Sequence, residues 1–151
     1  MDIPKFLSKV YTTEDRVRLY SEIELVSEAI YKEGELNKVL ASRVSKALVE
    51  YIGSESSYEI LSEKLSELKK ALDQLVIMKL TLAFEPSEQT IKKIVTFIRE
   101  NLDEKTIFEI CQQPNILGGA ILEFKGLYRD YSLKTRLEEI FKSKRDELYK
   151  I

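Results

Sequence analysis

The amino-acid sequence predicts an α+β fold, in which an N-terminal antiparallel helical bundle precedes a small C-terminal layer of order βαββα. As far as about Leu72, apolar residues recur only at helical spacing, and from Leu75 they begin to alternate along the chain. A pair of glycines then precedes a hairpin pattern and a last helix. We therefore predict a helical domain, residues 1–73, and an α+β domain, residues 74–151.

Composition places the chain among globular proteins with many charged helices. It has 151 residues, of which 44% are hydrophobic and 33% charged, and a formal net charge of -2. Proteins that bind mainly through phosphate contacts normally carry a basic excess, so we expect no nucleic-acid partner. No apolar run approaches the ~20 residues that span a bilayer, and the N-terminal residues do not form a signal peptide. We therefore expect a cytoplasmic protein.

Residue types that carry much of protein chemistry are scarce in the sequence. It has one cysteine, Cys111, and no histidine. This excludes an internal disulfide, a Ser–His or Cys–His nucleophile pair and a zinc site of the usual Cys/His type. We expect Cys111 to fill a small apolar space, and we predict no catalytic residue, no metal and no cofactor. Catalysis by carboxylates, lysine or tyrosine stays open.

The first predicted long helix runs from Thr13 to Tyr31 and carries a narrow apolar stripe. The stripe residues recur at spacings of four, three and four, and Thr12 or Thr13 is suited to cap the helix. Gly34 is expected to end it. The stripe consists of Leu19, Ile23, Val26 and Ile30.

Two further helices follow in the N-terminal domain. The second is predicted from Glu35 to Ile52, and a polar break at residues 53–57 separates it from the third. The three stripes either pack together as an antiparallel bundle or receive a helix from a partner, and the sequence leaves both arrangements open. The third helix repeats the same spacing at Leu61, Leu65, Leu68 and Leu72.

The C-terminal domain begins with a predicted strand, residues 75–84, that is buried on one face. A helix capped by Ser87 follows and runs to about Asn101, and a second strand covers residues 106–110. The residues expected on the buried face of the first strand are Val76, Met78, Leu80, Leu82 and Phe84.

The stretch from Pro114 to Phe141 combines a glycine pair, a hairpin and a capped helix. Residues 120–124 and 127–130 form two apolar or mixed runs around a two-residue turn, which is the pattern of a hairpin. Asp130 or Ser132 is suited to cap the helix that follows. The apolar residues of this helix lie at helical spacing, at Leu133, Leu137, Ile140, Phe141 and Leu148.

The glycine pair, Gly118 and Gly119, has two interpretations. A phosphate-binding loop would need a GxGxxG or GxxxxGK[ST] context, and neither motif surrounds the pair. Residues without a Cβ also let the backbone bend or approach a neighbouring element closely. We favour this second interpretation.

Together these features resemble the C-terminal signature of the delta subunit of F-type ATP synthases, the equivalent of the mitochondrial oligomycin-sensitivity-conferring protein. The matching elements are the glycine pair, the hairpin, an Asp-x-Ser turn and a helix that contains Arg136 and Leu137. The family typically has Asp-Gly-Ser at the turn, and here Tyr131 stands at the glycine position. The resemblance covers about residues 75–141.

The resemblance implies a non-catalytic subunit of the peripheral stalk, or stator. In the family, the helical domain binds N-terminal segments of the alpha subunits on the catalytic head, and the C-terminal region binds the b subunits. The implied location is cytoplasmic, at the inner face of the cell membrane, with membrane contact only through the complex. The family's helical domain is larger than three helices, which implies a shortened version here. The candidate docking surface is the stripe of Leu19, Ile23, Val26 and Ile30.

Three other functions fit parts of the pattern. The E subunit of vacuolar and archaeal rotary ATPases also ends in a small α/β layer, but Gly34 and Gly53 would interrupt its long N-terminal coiled coil. A small enzyme would need carboxylates or lysines that converge in a cleft. A general adaptor would share the fold without sharing the function.

Overall fold

The computed structural model of the protein describes residues 2–53 and 57–148, with the side chains of the last helix as far as Arg145. Part of the predicted polar break, residues 54–56, lies outside this range. Helices precede a small mixed sheet that is followed by a last helix, so the predicted α+β class is confirmed.

The chain divides into two compact units. The first, Met1–Leu75, is helical, and the second, Val76–Ile151, contains the sheet. In the helical unit, α2 packs against α3 and α5, and α1 packs against α5. The described helices of this unit are α1 (Ile3–Leu7), α2 (Thr13–Ala29), α3 (Glu35–Ser42), α4 (Lys46–Ile52) and α5 (Tyr58–Asp73).

The N-terminus of α2 is closed by a reciprocal cap. The Thr12 hydroxyl accepts a hydrogen bond from the Asp15 N–H, and the Asp15 carboxylate accepts one from the Thr12 N–H, both at 3.2 Å. The cap predicted at Thr12 is therefore confirmed. Gly34 does not end α2, which stops at Ala29; with a φ of 75° it instead precedes α3 as its N-cap residue.

The single helix predicted from Glu35 to Ile52 is wrong, because the chain breaks between α3 and α4. At the break the Ser45 hydroxyl accepts a hydrogen bond from the Leu48 N–H at 3.4 Å. The buried carboxylate of Glu22 on α2 in turn accepts hydrogen bonds from the Ser45 N–H at 3.0 Å and the Ser45 hydroxyl at 2.7 Å. A capping residue has extended backbone angles, so one helix cannot pass through Ser45.

The second unit is a four-stranded sheet with strand order β2-β1-β3-β4. β1 pairs parallel with β2 and antiparallel with β3, and β3 pairs antiparallel with β4. The hairpin contributes two strands, so the order along the chain is βαβββα and the predicted βαββα is one strand short. The elements are β1 (Val76–Leu82), α6 (Glu88–Asn101), β2 (Thr106–Gln112), a 3-10 turn (Pro114–Ile116), β3 (Ala120–Phe124), β4 (Leu127–Asp130) and α7 (Leu133–Leu148).

The turn between β3 and β4 explains why the hairpin could be predicted from the sequence. Lys125 and Gly126 have φ angles of 48° and 79°. Two positive φ angles in a two-residue turn match the twist of the strands they join. The Lys125 ammonium also bonds the Asp103 carboxylate at 2.9 Å. That bond, followed by the Lys105 N–H, lowers the pKa of Asp103.

The core of the second unit lies where α6 packs on the sheet. The Ser87 hydroxyl caps α6 by accepting from the Thr90 N–H at 3.2 Å, as predicted. Phe84, expected on the buried face of β1, is exposed because the strand ends before it, at Leu82. The buried apolar side chains of this unit are those of Met78, Leu80, Val95, Ile107, Phe108 and Ile116.

Candidate functional site

The glycine pair, Asp130 and Ser132 meet at one corner of the second unit. The segment that leads into β3 runs beside the segment that leaves β4. The Tyr131 N–H donates to the Ala120 carbonyl and the Leu133 N–H donates to the Gly118 carbonyl, both at 2.9 Å. These two hydrogen bonds bring the glycine pair against the start of α7.

The two glycines of the pair differ in what they require. Gly119 has a φ of 72°, and a Cβ built there would collide with the Tyr131 carbonyl oxygen and lie 3.2 Å from the Ser132 Cα. Both the backbone angle and the close approach therefore demand glycine. A Cβ on Gly118 would lie 3.7 Å from the Leu133 Cβ, which is an ordinary contact.

Asp130, Ser132 and Thr135 form the cap of α7. The Asp130 carboxylate accepts from the Ser132 N–H at 2.8 Å and from the Thr135 hydroxyl at 2.7 Å. The buried Ser132 hydroxyl accepts from the Thr135 N–H at 3.3 Å. The hydroxyls of Ser132 and Thr135 and the Ser132 N–H lower the pKa of Asp130.

Thr135 is the member of this cap that sequence reasoning missed. The sequence signal for Thr135 is its position three residues after a serine N-cap. A side chain at that position can reach back to hydrogen-bond groups at the cap. Capping boxes normally have Glu or Gln at that position, so a threonine gives a weaker pattern.

Tyr131 occupies the position where the family signature has glycine. Among the described non-glycine residues, only Leu117 and Lys125 have a positive φ. The turn at Tyr131 therefore needs no glycine, and its side chain projects largely into solvent.

Arg136 and Leu137, the last two predicted signature residues, lie within α7. Arg136 is exposed, and Leu137 is half-buried. The helix packs against the 3-10 turn, and its described residues from position 138 to 145 are all exposed. An apolar face, hereafter the α7 face, is thus left largely open, and it consists of Leu133, Leu137, Ile140 and Phe141.

The predicted docking stripe of the helical unit is not open. Its four side chains are between 0% and 7% exposed, because α2 packs against α3 and α5. Of the two arrangements that the sequence left open, packing within the chain accounts for this stripe. Any docking surface of the helical unit therefore uses other residues. The stripe residues are Leu19, Ile23, Val26 and Ile30.

The helical unit also contains a cavity. It has a volume of about 370 Å³ and is lined by residues near the start of α3, the end of α4 and the start of α5, with Leu36, Ile52 and Tyr58 among them. Ionisable groups in its wall are limited to Lys32 and Tyr58 among the described lining residues. The described lining therefore does not bring together the carboxylates and lysines that a small enzyme would need.

Two properties of the described residues bear on the class of protein. Within the ranges 2–53 and 57–148, no group of three or more cysteine or carboxylate side chains is arranged to hold a metal ion. None of the helices in the described part of the chain combines the length and the apolar composition that crossing a bilayer requires.

A sequence model of the ATP synthase delta (OSCP) subunit matches residues 26–143. The chain belongs to the ATP synthase delta (OSCP) subunit family. The match begins within α2 and includes the whole corner and α7 as far as Ser143. The resemblance drawn from the glycine pair and the capped helix is thereby confirmed.

Two curated relatives carry the same family name. The ATP synthase subunit delta of Aquifex aeolicus is 30% identical over 83 residues, which cover 55% of this chain and 42% of that protein. The ATP synthase subunit delta of Persephonella marina is 30% identical over 93 residues, which cover 62% of this chain and 46% of that protein. The matches therefore span less than half the length of each relative.

Among solved structures, a chain of the Toxoplasma gondii mitochondrial ATP synthase hexamer is similar over 95% of this chain and 97% of that chain. The sequence identity is 16% and the TM-score is 0.38. A TM-score this low does not establish a shared fold, so the family assignment depends on the sequence matches.

Proposed function

We propose that this delta-family chain is a non-catalytic peripheral-stalk subunit of an F-type ATP synthase. It would link the catalytic head to the b subunits, so that the head does not rotate with the rotor. The observation that carries the proposal is the family match over residues 26–143. The proposed location is the cytoplasmic side, at the inner face of the cell membrane, with membrane contact only through the complex.

The C-terminal unit is the proposed binding site for the C-terminal segment of the b subunit. Its support is the α7 face, where Ile140 and Phe141 are 51% and 67% exposed. Large apolar side chains on consecutive turns of an exposed helix are typical of a surface that receives another helix. The capped corner holds the start of this helix in place, so the face is presented by a fixed element.

The helical unit is the proposed binding site for the N-terminal segment of the alpha subunit. Because its long stripe is buried, the proposal uses the exposed apolar residues of the unit instead. Val17, Tyr31 and Tyr58 are the most exposed of these among the described residues. They provide scattered contacts, which predicts a weaker interaction than the one at the α7 face.

The polar groups of the corner support the proposal that the chain is not an enzyme. The carboxylate of Asp130 and the hydroxyls of Ser132 and Thr135 bond one another and the backbone at the start of α7. A nucleophile or general base instead needs a side chain free to reach a substrate. These groups are used to begin a helix.

Calorimetric titrations of the full chain test the proposal. One titrant is a peptide with the sequence of the N-terminal segment of the alpha subunit, and the other has that of the C-terminal segment of the b subunit, both from the same organism. We expect both to bind, the b peptide in the micromolar range or tighter. The proposal is wrong if neither peptide binds at micromolar concentration.

A pair of variants assigns the b site. Phe141→Asp should weaken binding of the b peptide by more than about tenfold, because it places a charge in the apolar contact. Val17→Asp is the matched control, since Val17 is similarly exposed but lies in the other unit. It should leave b binding unchanged, and equal effects of the two variants would contradict the assignment.

A further inference from the structure

We propose that the α7 face recognises a partner helix whose apolar stripe is bordered by carboxylates. The inference rests on the proposed stator function, because it specifies the chemistry of the helix that the C-terminal unit would receive. It is carried by the placement of cations along and within the α7 face.

The apolar residues of α7 have the spacing of a helix–helix seam. Leu133, Leu137 and Ile140 follow at intervals of four and three residues, and the next seam position is taken by Lys144. Such spacing keeps side chains on one narrow line along a helix that packs against another. Lys144 is exposed, so a helix packed on the seam would place its own residues beside an ammonium group.

Cations also border the seam on both sides. At 3.6 residues per turn, Lys134 and Arg136 project about 80° to either side of the seam, while Glu138 and Glu139 project farther from it. The whole helix, Leu133–Leu148, contains five Lys or Arg and four Asp or Glu, but its first five residues contain two cations and no carboxylate. The basic part of the α7 face is therefore its N-terminal part.

The three cations at the seam are available to a partner. Lys134, Arg136 and Lys144 are all exposed, and none of them forms an ion pair with a described side chain, although the charge of Lys134 contributes to the lowered pKa of Asp130. Carboxylates on a docking helix would pair with them and orient it, and a helix bordered by lysine would be repelled.

An anionic membrane surface would satisfy the same cations, but the geometry favours a helix. Helices that lie in a membrane interface have a broad apolar face that enters the lipid, with cations at its edges. In α7 the line of Leu133, Leu137 and Ile140 is narrow, with Phe141 beside it, and Lys144 lies on the line itself rather than at its edge. A carboxylate opposite that position fits a two-helix seam, in which polar pairs specify the partner.

Two synthetic amphipathic peptides test the inference on the full chain. They share one leucine seam, and one is bordered by glutamate and the other by lysine. We expect the glutamate peptide to bind about tenfold more tightly at low salt, with the difference shrinking as the ionic strength rises. Equal affinities would overturn the inference.

A charge-reversed variant provides the second arm. Combined Lys134→Glu, Arg136→Glu and Lys144→Glu substitutions should reverse the preference between the peptides. Because all three side chains are exposed, the variant should fold, and circular dichroism verifies this. An unchanged preference in a folded variant would overturn the inference.

A matched control reverses three exposed cations outside α7. The control substitutions are Lys32→Glu, Lys46→Glu and Lys93→Glu. They change the net charge equally and should leave the peptide preference as it is. If the control substitutions also reverse the peptide preference, the preference depends on the net charge of the protein rather than on the α7 face, and the inference fails.

Vesicles containing phosphatidylglycerol provide the third arm. Stronger binding to these vesicles than to either peptide, lost in the α7 charge-reversed variant, would overturn the inference and identify a membrane surface as the occupant of the α7 face.

The experiments distinguish failure of the inference from failure of the proposed function. Binding of the b peptide without any charge preference contradicts only the inference, and a charge preference without binding of the alpha and b peptides contradicts only the stator function.

Discussion

Gly119 is held by two constraints that no other residue type satisfies. Its φ of 72° disfavours any side chain, and a Cβ would collide with the backbone of Tyr131. We expect Gly119→Ala to lower the free energy of unfolding by more than about 2 kcal/mol, since the left-handed conformation alone costs about 1–2 kcal/mol. Denaturant unfolding of the full chain, followed by circular dichroism, measures the change.

Gly118→Ala is the matched control for this prediction. Its Cβ would make an ordinary contact with Leu133 and the position has no positive φ, so the change in stability should stay within about 0.5 kcal/mol. Equal losses in the two variants would contradict the distinction between the glycines, as would an unchanged Gly119→Ala protein.

We expect Asp130 to make the stability of the second unit sensitive to acid. Its pKa is lowered below the ordinary value of 3.8, chiefly by the hydroxyls of Ser132 and Thr135. A lowered pKa in the folded state gives stability that is complete above the unfolded pKa and is lost as the pH falls through the folded pKa. We expect Asp130→Asn to be less stable than the parent at pH 7 and to approach it below about pH 4.

Thermal unfolding of the two proteins between pH 7 and pH 3 checks this expectation. The difference in Tm should narrow as the pH falls through the carboxyl range. A difference that stays constant across the range would mean that ionisation of Asp130 does not contribute.

The residues of the corner were predictable in kind but not in detail. Asp130 and Ser132 are strong capping types before a helical pattern, so local chemistry identified them. The inequality of Gly118 and Gly119 depends on a φ angle and on the backbone of Tyr131, which approaches only after the hairpin has folded. Neither the φ angle of Gly119 nor the approach of the Tyr131 backbone can be read from the sequence.

At the scale of elements, α2 and α5 are joined by a hydrogen bond between side chains. The Tyr20 hydroxyl of α2 donates to the Asp73 carboxylate of α5. Burial, and next this hydrogen bond, raise the pKa of Tyr20 from 10.0 to about 12. Since the folded pKa is the higher, the stabilising effect is complete below pH 10 and is lost as the pH rises through about 12.

We therefore expect alkaline unfolding to reveal this contact. Stability of the parent chain should decline between pH 10 and pH 12, and Tyr20→Phe should lack that part of the decline. Tyr31→Phe, at an exposed position, is the control and should behave like the parent. Chemical denaturation at a series of pH values measures the effect, and coincident curves for all three proteins would rule it out.

Three element boundaries and patterns that depend on local contacts followed the sequence. The cap at Ser87, the two-residue turn at Lys125 and the leucine stripe of α5 all depend on near neighbours, and each was predicted. The break between α3 and α4 was not, because the Glu22 carboxylate that holds Ser45 is 23 residues away along the chain. Tertiary contacts of this kind override local helix propensity.

At the scale of the whole molecule, the surface open to partners differs from the one that the sequence pattern indicated, because the indicated stripe is buried. Periodicity alone selected the α2 stripe, whose residues are packed into the core of the helical unit. Periodicity on α7 is similar in kind, but the described part of that helix beyond Leu137 is exposed. Sequence pattern identifies a helix face, and only the packing of the other elements determines whether that face is core or docking surface.

The most direct measurement of the stator function is purification of the tagged full chain from detergent-solubilised membranes of its own organism. The proposal predicts that the alpha and b subunits of the ATP synthase are recovered with it in constant proportion, and that Phe141→Asp loses the b subunit while Val17→Asp retains it. Recovery of an intact ATP synthase that lacks this chain, from membranes in which the chain is expressed, would contradict the proposal.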